Sequence, residues 1–386
     1  MFKKTLLAAC AAALTAAPCL ADEKVDPKVD PKPVIESVKA DAPKIQIAIL
    51  LDTSGSMDGL INQTREQLWR IVNTFATAKK EGKRPRLELA LYQYGNDGIP
   101  ASAHHVQKIV PLTTDLDKVS EALFKLSTNG GNEYCGAAIS HALGELEWSA
   151  NPKDLKLIYI AGNEPFTQGP ISFRDAVKTS IGRGIVVNTI HAGTQEQGIS
   201  DSWAEAAKMA DGNFLFIDSN RAVARVDAPQ DAELARLSNE MNKTYIAYGR
   251  TAKESVARQE AQDKNASGMS ASSASTRAAA KASPMYRNDS WDLVDAKKGG
   301  KSLEGIAKDE LPAEMQKMNE KEREEYVATK SKERTEIQQK ITKLNAERDQ
   351  YVQAEMKKRA SDKTKTMDDA LIESAKGQAE KAAFSF

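Results

Sequence analysis

Ile45–Leu51 reads I-Q-I-A-I-L-L and stops at once on Asp52-Thr53-Ser54-Gly55-Ser56. A run this apolar on alternate and intervening positions alike belongs to a strand covered on both faces, the situation of a central strand in a parallel sheet. Such a sheet needs helices above and below it, and the following residues supply them. Ile61, Thr64, Leu68, Ile71, Val72 and Phe75 recur at helical spacing and predict an amphipathic helix over 60–79. Further strands are expected at Leu87–Tyr94, Val106–Leu112, Leu155–Ile160, Ile185–Ile190 and Phe214–Ile217, with helices at 115–127, 136–148, 172–182 and 201–210. Pro111 marks Val106–Leu112 as an edge strand, where its missing N–H costs little. Alternation over this length implies an α/β fold with a doubly wound, mostly parallel Rossmann-like sheet. Ligands of such sheets sit beyond the carboxyl ends of the strands, where the strand order reverses.

The chain has 386 residues, more than one ordinary domain. Met1–Thr5 carries two lysines, Leu6–Leu20 is apolar or small, and small residues flank Leu20, so residues 1–21 read as a signal peptide cleaved near Ala21. The mature protein is then expected in a periplasm or outside the cell, with no transmembrane segment. Cys135 is the cysteine left after cleavage, which excludes an intramolecular disulfide and predicts a small buried residue. Residues 22–43 repeat V-D-P-K and form a Pro-rich linker. The sheet domain is assigned to 44–222, a helical and low-complexity connector to 223–300, and a long helical region to 301–386. Within the connector, 231–262 read as helix interrupted near 245–249, and the Ser/Ala-rich 263–283 as a mobile segment. A charged helix starting near Pro312 and ending near Arg359 would be roughly 70 Å long. Its Ile337, Ile341, Leu344 and Tyr351 lie near heptad spacing with Arg348 interrupting them, compatible with a self-associating coiled coil or with a helix folded back on its own chain. A last helix is expected over 367–383. Basic and acidic residues balance at 54 each, so no basic footprint for nucleic acid is present.

The turn after the first strand carries chemistry. Asp52, Ser54 and Ser56 alternate, so that one carboxylate and two hydroxyls can face one point. Oxygen ligands of low total charge suit a hard ion such as Mg²⁺. An Asx-type turn capping the next helix would use the same residues. With the strand before it, the helix after it and the alternation through Phe216-Ile217-Asp218, D-T-S-G-S resembles the von Willebrand factor type A (VWA) domain. The resemblance implies a metal-ion-dependent adhesion site at Asp52, Ser54 and Ser56, holding Mg²⁺ (or Mn²⁺ or Ca²⁺), and recognition of a protein partner whose acidic side chain completes the shell. Two further ligand positions depart from the family pattern. Asn132 stands where a threonine is usual, and Gly162, in A-G-N-E-P, stands where an aspartate is usual. Asp52, Ser54, Ser56 and Asn132 are therefore the metal-site residues of a reduced site. Met57, Asp58, Glu133, Tyr134, Asn163, Glu164 and Phe166 are the expected partner-binding rim.

Other candidates are weaker. His104 and His105 are adjacent and expected to be exposed, while His141 and His191 have no ligand at motif spacing. Gly193–Gly198 reads as a polar loop, and Tyr245 with Tyr248 as docking residues for the first C-terminal helix. No nucleophile–base pair is present, so the chain is read as non-enzymatic. The favoured function is a protein-binding module of the cell envelope; the alternative is a metal-independent scaffold that oligomerises through its C-terminal helices.

Overall fold

Eight of the nine residues of β1 (Lys44–Asp52) are buried, which places it at the centre of the sheet. The computed structural model describes residues 42–217, 226–359 and 367–386. The signal peptide, nearly all of the linker and Asp218 lie outside the described residues. β2 (Arg86–Tyr94), β3 (Val106–Thr113), β4 (Leu155–Gly162), β5 (Val186–Ala192) and β6 (Phe214–Ile217) complete the sheet in the order β3-β2-β1-β4-β5-β6. β3 runs antiparallel on the edge and carries Pro111; the other neighbours pair in parallel. From β1 the chain goes to β2 on one side and later to β4 on the other. The strand order therefore reverses at β1, and in open sheets of this kind the carboxyl end at such a reversal is where ligands bind.

Alternation along β1 feeds two cores. Ile45, Ile47, Ile49 and Leu51 face α1 (Asp58–Thr74) and α2 (Leu116–Lys125), while Ala48 and Leu50 face α3 (Cys135–Glu145), α4 (Phe173–Gly182) and α6 (Trp203–Met209). Each large aliphatic side chain buried in this way contributes about 1.5–3 kcal/mol. Cys135 is buried at the start of α3, as expected of a small apolar residue. The segment 193–198, expected as a loop, instead enters a short helix, α5 (Gln195–Ser200). Thr194 and Gln197 form a reciprocal capping box that a reading for glycines passes over.

The C-terminal part of the chain packs onto the face of the sheet that carries α1. α7 (Asp231–Asn242) and α8 (Ala252–Met269) match the interrupted helix read at 231–262. The expectation of a mobile 263–283 is corrected: these residues finish α8 and form α9 (Ala271–Ala282). Alanine is the best helix former, and small side chains let α9 lie close to α1, α7 and α8. Its buried positions are Ser272, Ser275, Arg277, Ala278, Ala280 and Lys281, so no apolar stripe announces it. Arg277 and Lys281 are almost fully buried against Asp117 and Asp263.

α10 (Leu293–Lys298) precedes two single 3₁₀ turns, and the long helix α11 (Glu320–Arg359) begins eight residues later than Pro312 suggests. Asn319 and Glu322 form a second reciprocal cap, Glu322 N–H to Asn319 Oδ1 at 3.0 Å and Asn319 N–H to Glu322 Oε2 at 2.8 Å. Its 40 residues span about 60 Å. Ile341, with Ile337 and Leu344, packs on α7 and α9. Arg348 reaches Asp231 at 2.6 Å, so the residue that interrupts the heptad is an anchor. Tyr245 stacks on Trp291 under the Arg334 guanidinium, whereas Tyr248 is buried among α10 and its neighbours. Finally, α12 (Met367–Lys381) lays Leu371, Ala375 and Ala379 into the first core, and Ser385 bridges to Lys79 through two 2.8 Å backbone hydrogen bonds.

Candidate functional site

Asp52 is the last residue of β1, level with Tyr94 on β2. One residue further, the Thr53 N–H donates to the Tyr94 carbonyl at 2.9 Å and keeps the turn pinned to β2. The Ser54 N–H then folds back onto Asp52 Oδ1 at 2.8 Å, a tight Asx turn. Asn129 N–H donates to the Thr53 carbonyl at 3.0 Å, drawing the loop before α3 over the turn. Gly131 permits this approach: its φ is +142°, and a β-carbon there would collide with the Gly95 carbonyl.

Asp52 and Ser54 are buried, and Ser56 is exposed, with its hydroxyl 3.4 Å from the Asn163 amide nitrogen. The Ser54 side chain lies beside the carboxylates of both Asp52 and Glu133 and lowers the pKa of each. Glu133 is buried and leans on Gly95 alongside Asp52. Asn132 is exposed, so at this corner the neighbouring Glu133, not Asn132, presents its side chain to Ser54. Sequence reading placed Glu133 on the rim and left open its reach, or that of Glu164, to the ion; its buried position follows from the loop geometry set by Gly131 and Gly95.

The rim is narrower than expected. Met57 and Phe166 are corrected: Met57 is buried in the first core, and Phe166 packs edge-on against Phe173 and Trp203 in the second. Asp58 is exposed and accepts from Thr128 at 3.0 Å, while Tyr134, Asn163 and Glu164 are half-buried around the corner. Gly162 also has a local cause. A β-carbon there would meet the Tyr94 hydroxyl and, at 3.0 Å, Asp52 Oδ2.

Electrostatically the corner is short of positive charge. Burial, partly offset by the Ser54 hydrogen bonds and reinforced by Glu133, pushes Asp52 up to about 7. Glu133 is also raised, first by burial, then by Glu164 and Asp97. Asp52 Oδ2 and Asn163 Oδ1 are buried with no hydrogen-bond partner among the described residues. Orphaned buried oxygens of Asp52 and Asn163, with the buried Glu133 carboxylate nearby, suit a hard cation, so the donor set fits a Mg²⁺-type ion.

Residues 46–228 match the family model of the von Willebrand factor type A domain. This segment is a VWA domain. Among solved structures the chain is similar to the conserved hypothetical protein BatB from Bacteroides thetaiotaomicron, at 16 % identity over 45 % of this chain and 90 % of that one, with TM-score 0.36. It is similar to the SpRpn10 VWA domain at 17 % identity, over 45 % of this chain and 88 % of that one, with TM-score 0.34. It is also similar to proximal thread matrix protein 1 from the mussel byssus, whose MIDAS motif is occupied by zinc, at 15 % identity over 47 % of this chain and 43 % of that one, with TM-score 0.36. None of the curated proteins matches. VWA domains are typically interaction modules rather than enzymes. No helix among the described residues is long and apolar enough to cross a membrane.

The histidines depart from expectation. His105 is buried rather than exposed, and His104 is half-buried with its Nδ1 3.3 Å from His141 Nε2. His141 therefore has a histidine neighbour in space, on a loop that sequence spacing does not connect to it. His191 is buried beside Trp203, and neither ring nitrogen has a hydrogen-bond partner among the described residues. Among the described residues no group of three or more His, Cys, Asp or Glu side chains is arranged for a metal ion. Hydroxyl oxygens would have to supply part of the set at the Asp52 corner.

Proposed function

We propose that this VWA domain is a non-enzymatic protein-binding module of the cell envelope that docks its partner through a Mg²⁺-type ion at the carboxyl end of β1. Asp52, Ser54 and Ser56 hold the ion, with Glu133 and Asn163 as further oxygen donors and Asn132 at the edge of the loop. The bound ion supplies a positive point able to take an acidic side chain from the partner. Asp58, Tyr134, Asn163 and Glu164 form the surrounding contact rim. The secretory leader read at residues 1–21 supports a periplasmic or extracellular setting. One observation carries the reading: Asp52 Oδ2 is buried, with no hydrogen-bond partner among the described residues, in a corner that holds a second buried carboxylate.

The test is calorimetric titration and thermal melting with Mg²⁺ and Mn²⁺ on wild type and Asp52→Ala. At a hundredfold excess over Kd, an ion bound only to the folded state adds about 2.7 kcal/mol. Wild type should gain and Asp52→Ala should not; equally flat titrations for both would remove the ion from the function. A metal-independent scaffold is the second reading, favoured by Tyr94 filling the space at Gly162. In that reading oligomerisation has to use a surface other than Ile337, Ile341 and Leu344, which already face α7 and α9.

A further inference from the structure

The loop between β2 and β3 turns through two successive residues in the left-handed region, His104 at φ 55° and His105 at φ 53°. Neither is glycine, and left-handed backbone at two non-glycine residues in a row is disfavoured. Hydrogen bonds hold it: His104 N–H to the Ala101 carbonyl at 2.9 Å, and Gly95 N–H to the His105 carbonyl at 3.0 Å. The result aims the His104 ring across to α3, where Nδ1 lies 3.3 Å from His141 Nε2. One turn further along α3, Glu145 Oε1 lies 2.6 Å from His141 Nδ1. That carboxylate fixes the proton on Nδ1 and leaves the Nε2 lone pair facing His104. Glu145 is itself steadied by the Tyr92 hydroxyl at 3.3 Å and Lys108 at 3.5 Å.

We propose that His104 and His141 form a second metal site, for Zn²⁺, with Glu145 as the carboxylate that orients His141. Two nitrogens bonded to one tetrahedral zinc at 2.0–2.1 Å stand about 3.3–3.4 Å apart, whereas adjacent square-planar positions at the same bond length stand about 2.9 Å apart. Without the ion the 3.3 Å contact is a hydrogen bond from His104 Nδ1–H to His141 Nε2, and its length matches the tetrahedral spacing, so zinc would replace that proton with little movement of either ring. An imidazole pair with a carboxylate on the far nitrogen suits zinc rather than Mg²⁺, which takes oxygen. With two protein ligands the remaining positions fall to water or to a group brought by a partner. His141 is 24 % exposed in its side chain, so the ion has access from solvent. Nothing in this site uses the oxygens around Asp52.

The experiment is zinc titration of the full chain at pH 7.5, carried out in the Asp52→Ala background to silence the other corner, with Co²⁺ absorption as a coordination readout. We expect one zinc equivalent and tetrahedral-type Co²⁺ bands in Asp52→Ala. Adding His104→Ala or His141→Ala should weaken binding at least tenfold and abolish the bands. Glu145→Gln should weaken it about 10–100-fold while keeping the bands at saturating Co²⁺. Circular dichroism and the melting temperature establish that each variant is folded, and two separate histidine variants guard against the loss of one. Zinc affinity unchanged by both histidine substitutions, or no zinc bound by Asp52→Ala, overturns the site.

Discussion

The Tyr94 hydroxyl fills the space that a side chain on Gly162 would enter, and it donates a 3.0 Å hydrogen bond to the Ala161 carbonyl. The residue missing from the family pattern and the tyrosine on the neighbouring strand are therefore one structural feature. Gly162→Asp alone should destabilise the fold by about 1–3 kcal/mol, because the new carboxyl is forced into a filled space beside Asp52. Combined with Tyr94→Phe, which removes the hydroxyl, the cost should fall below the sum of the two single changes. Urea denaturation of the four proteins of the cycle measures this. Strict additivity would show that the two positions do not compete for space.

Much of the sheet was legible because each strand is written in apolar residues with its own period. The C-terminal helices were harder for a physical reason. α9 buries Arg277 and Lys281, which pair with acids from α2 and α8, and no hydrophobic spacing records that. At the site, Asp52, Ser54 and Ser56 were visible as a local pattern, since the turn closes within five residues. Glu133 near Ser54, Met57 and Phe166 turned inward, and His104 against His141 each depend on where distant segments meet. Only the assembled loops determine that.

Removing α12 tests how far the helical part completes the sheet domain. Leu371, Ala375, Ala379 and Phe384 sit in the core shared with α1 and β1. Deleting residues 367–386 should lower the melting temperature markedly and expose an apolar face that binds hydrophobic dyes. An unchanged melting temperature would show that the face is stable uncovered.

Asp263 gives a pH prediction. Burial alone would raise its pKa, but Arg277 and Lys281 outweigh burial and hold it at about 2, below the ordinary 3.8. A carboxylate depressed in the folded state stabilises fully above its unfolded value and loses that contribution as pH falls through the folded value. The difference corresponds to about 2 kcal/mol, present above pH ~4 and gone near pH ~2. The stability gap between wild type and Asp263→Asn, followed by denaturant unfolding, should narrow across that window. A gap that stays constant from pH 5 to 2 would mean the ion pairs do not form.

Arg348 decides what the long helix does. Its guanidinium reaches Asp231 Oδ1 at 2.6 Å and the Ser272 hydroxyl at 2.8 Å, and Asp231 also accepts from Ser275 and from the Ala228 N–H. α7, α9 and α11 thus meet at one buried carboxylate. Truncating one partner of a buried pair typically costs 3–5 kcal/mol, because the other charge is left without compensation. Arg348→Ala should therefore destabilise on that scale, and Arg348→Lys should recover part of it without restoring both contacts of the planar fork. Asp231→Asn added to Arg348→Ala should cost less than additivity requires, since the stranded charge is gone. Size-exclusion chromatography with light scattering adds a second reading. If the helix is anchored here, wild type keeps its mass while Arg348→Ala frees Ile337, Ile341 and Leu344 and gains mass with concentration. A loss under about 0.5 kcal/mol, the scale of an ordinary surface change, would place Arg348 in solvent and return these three residues to intermolecular contact.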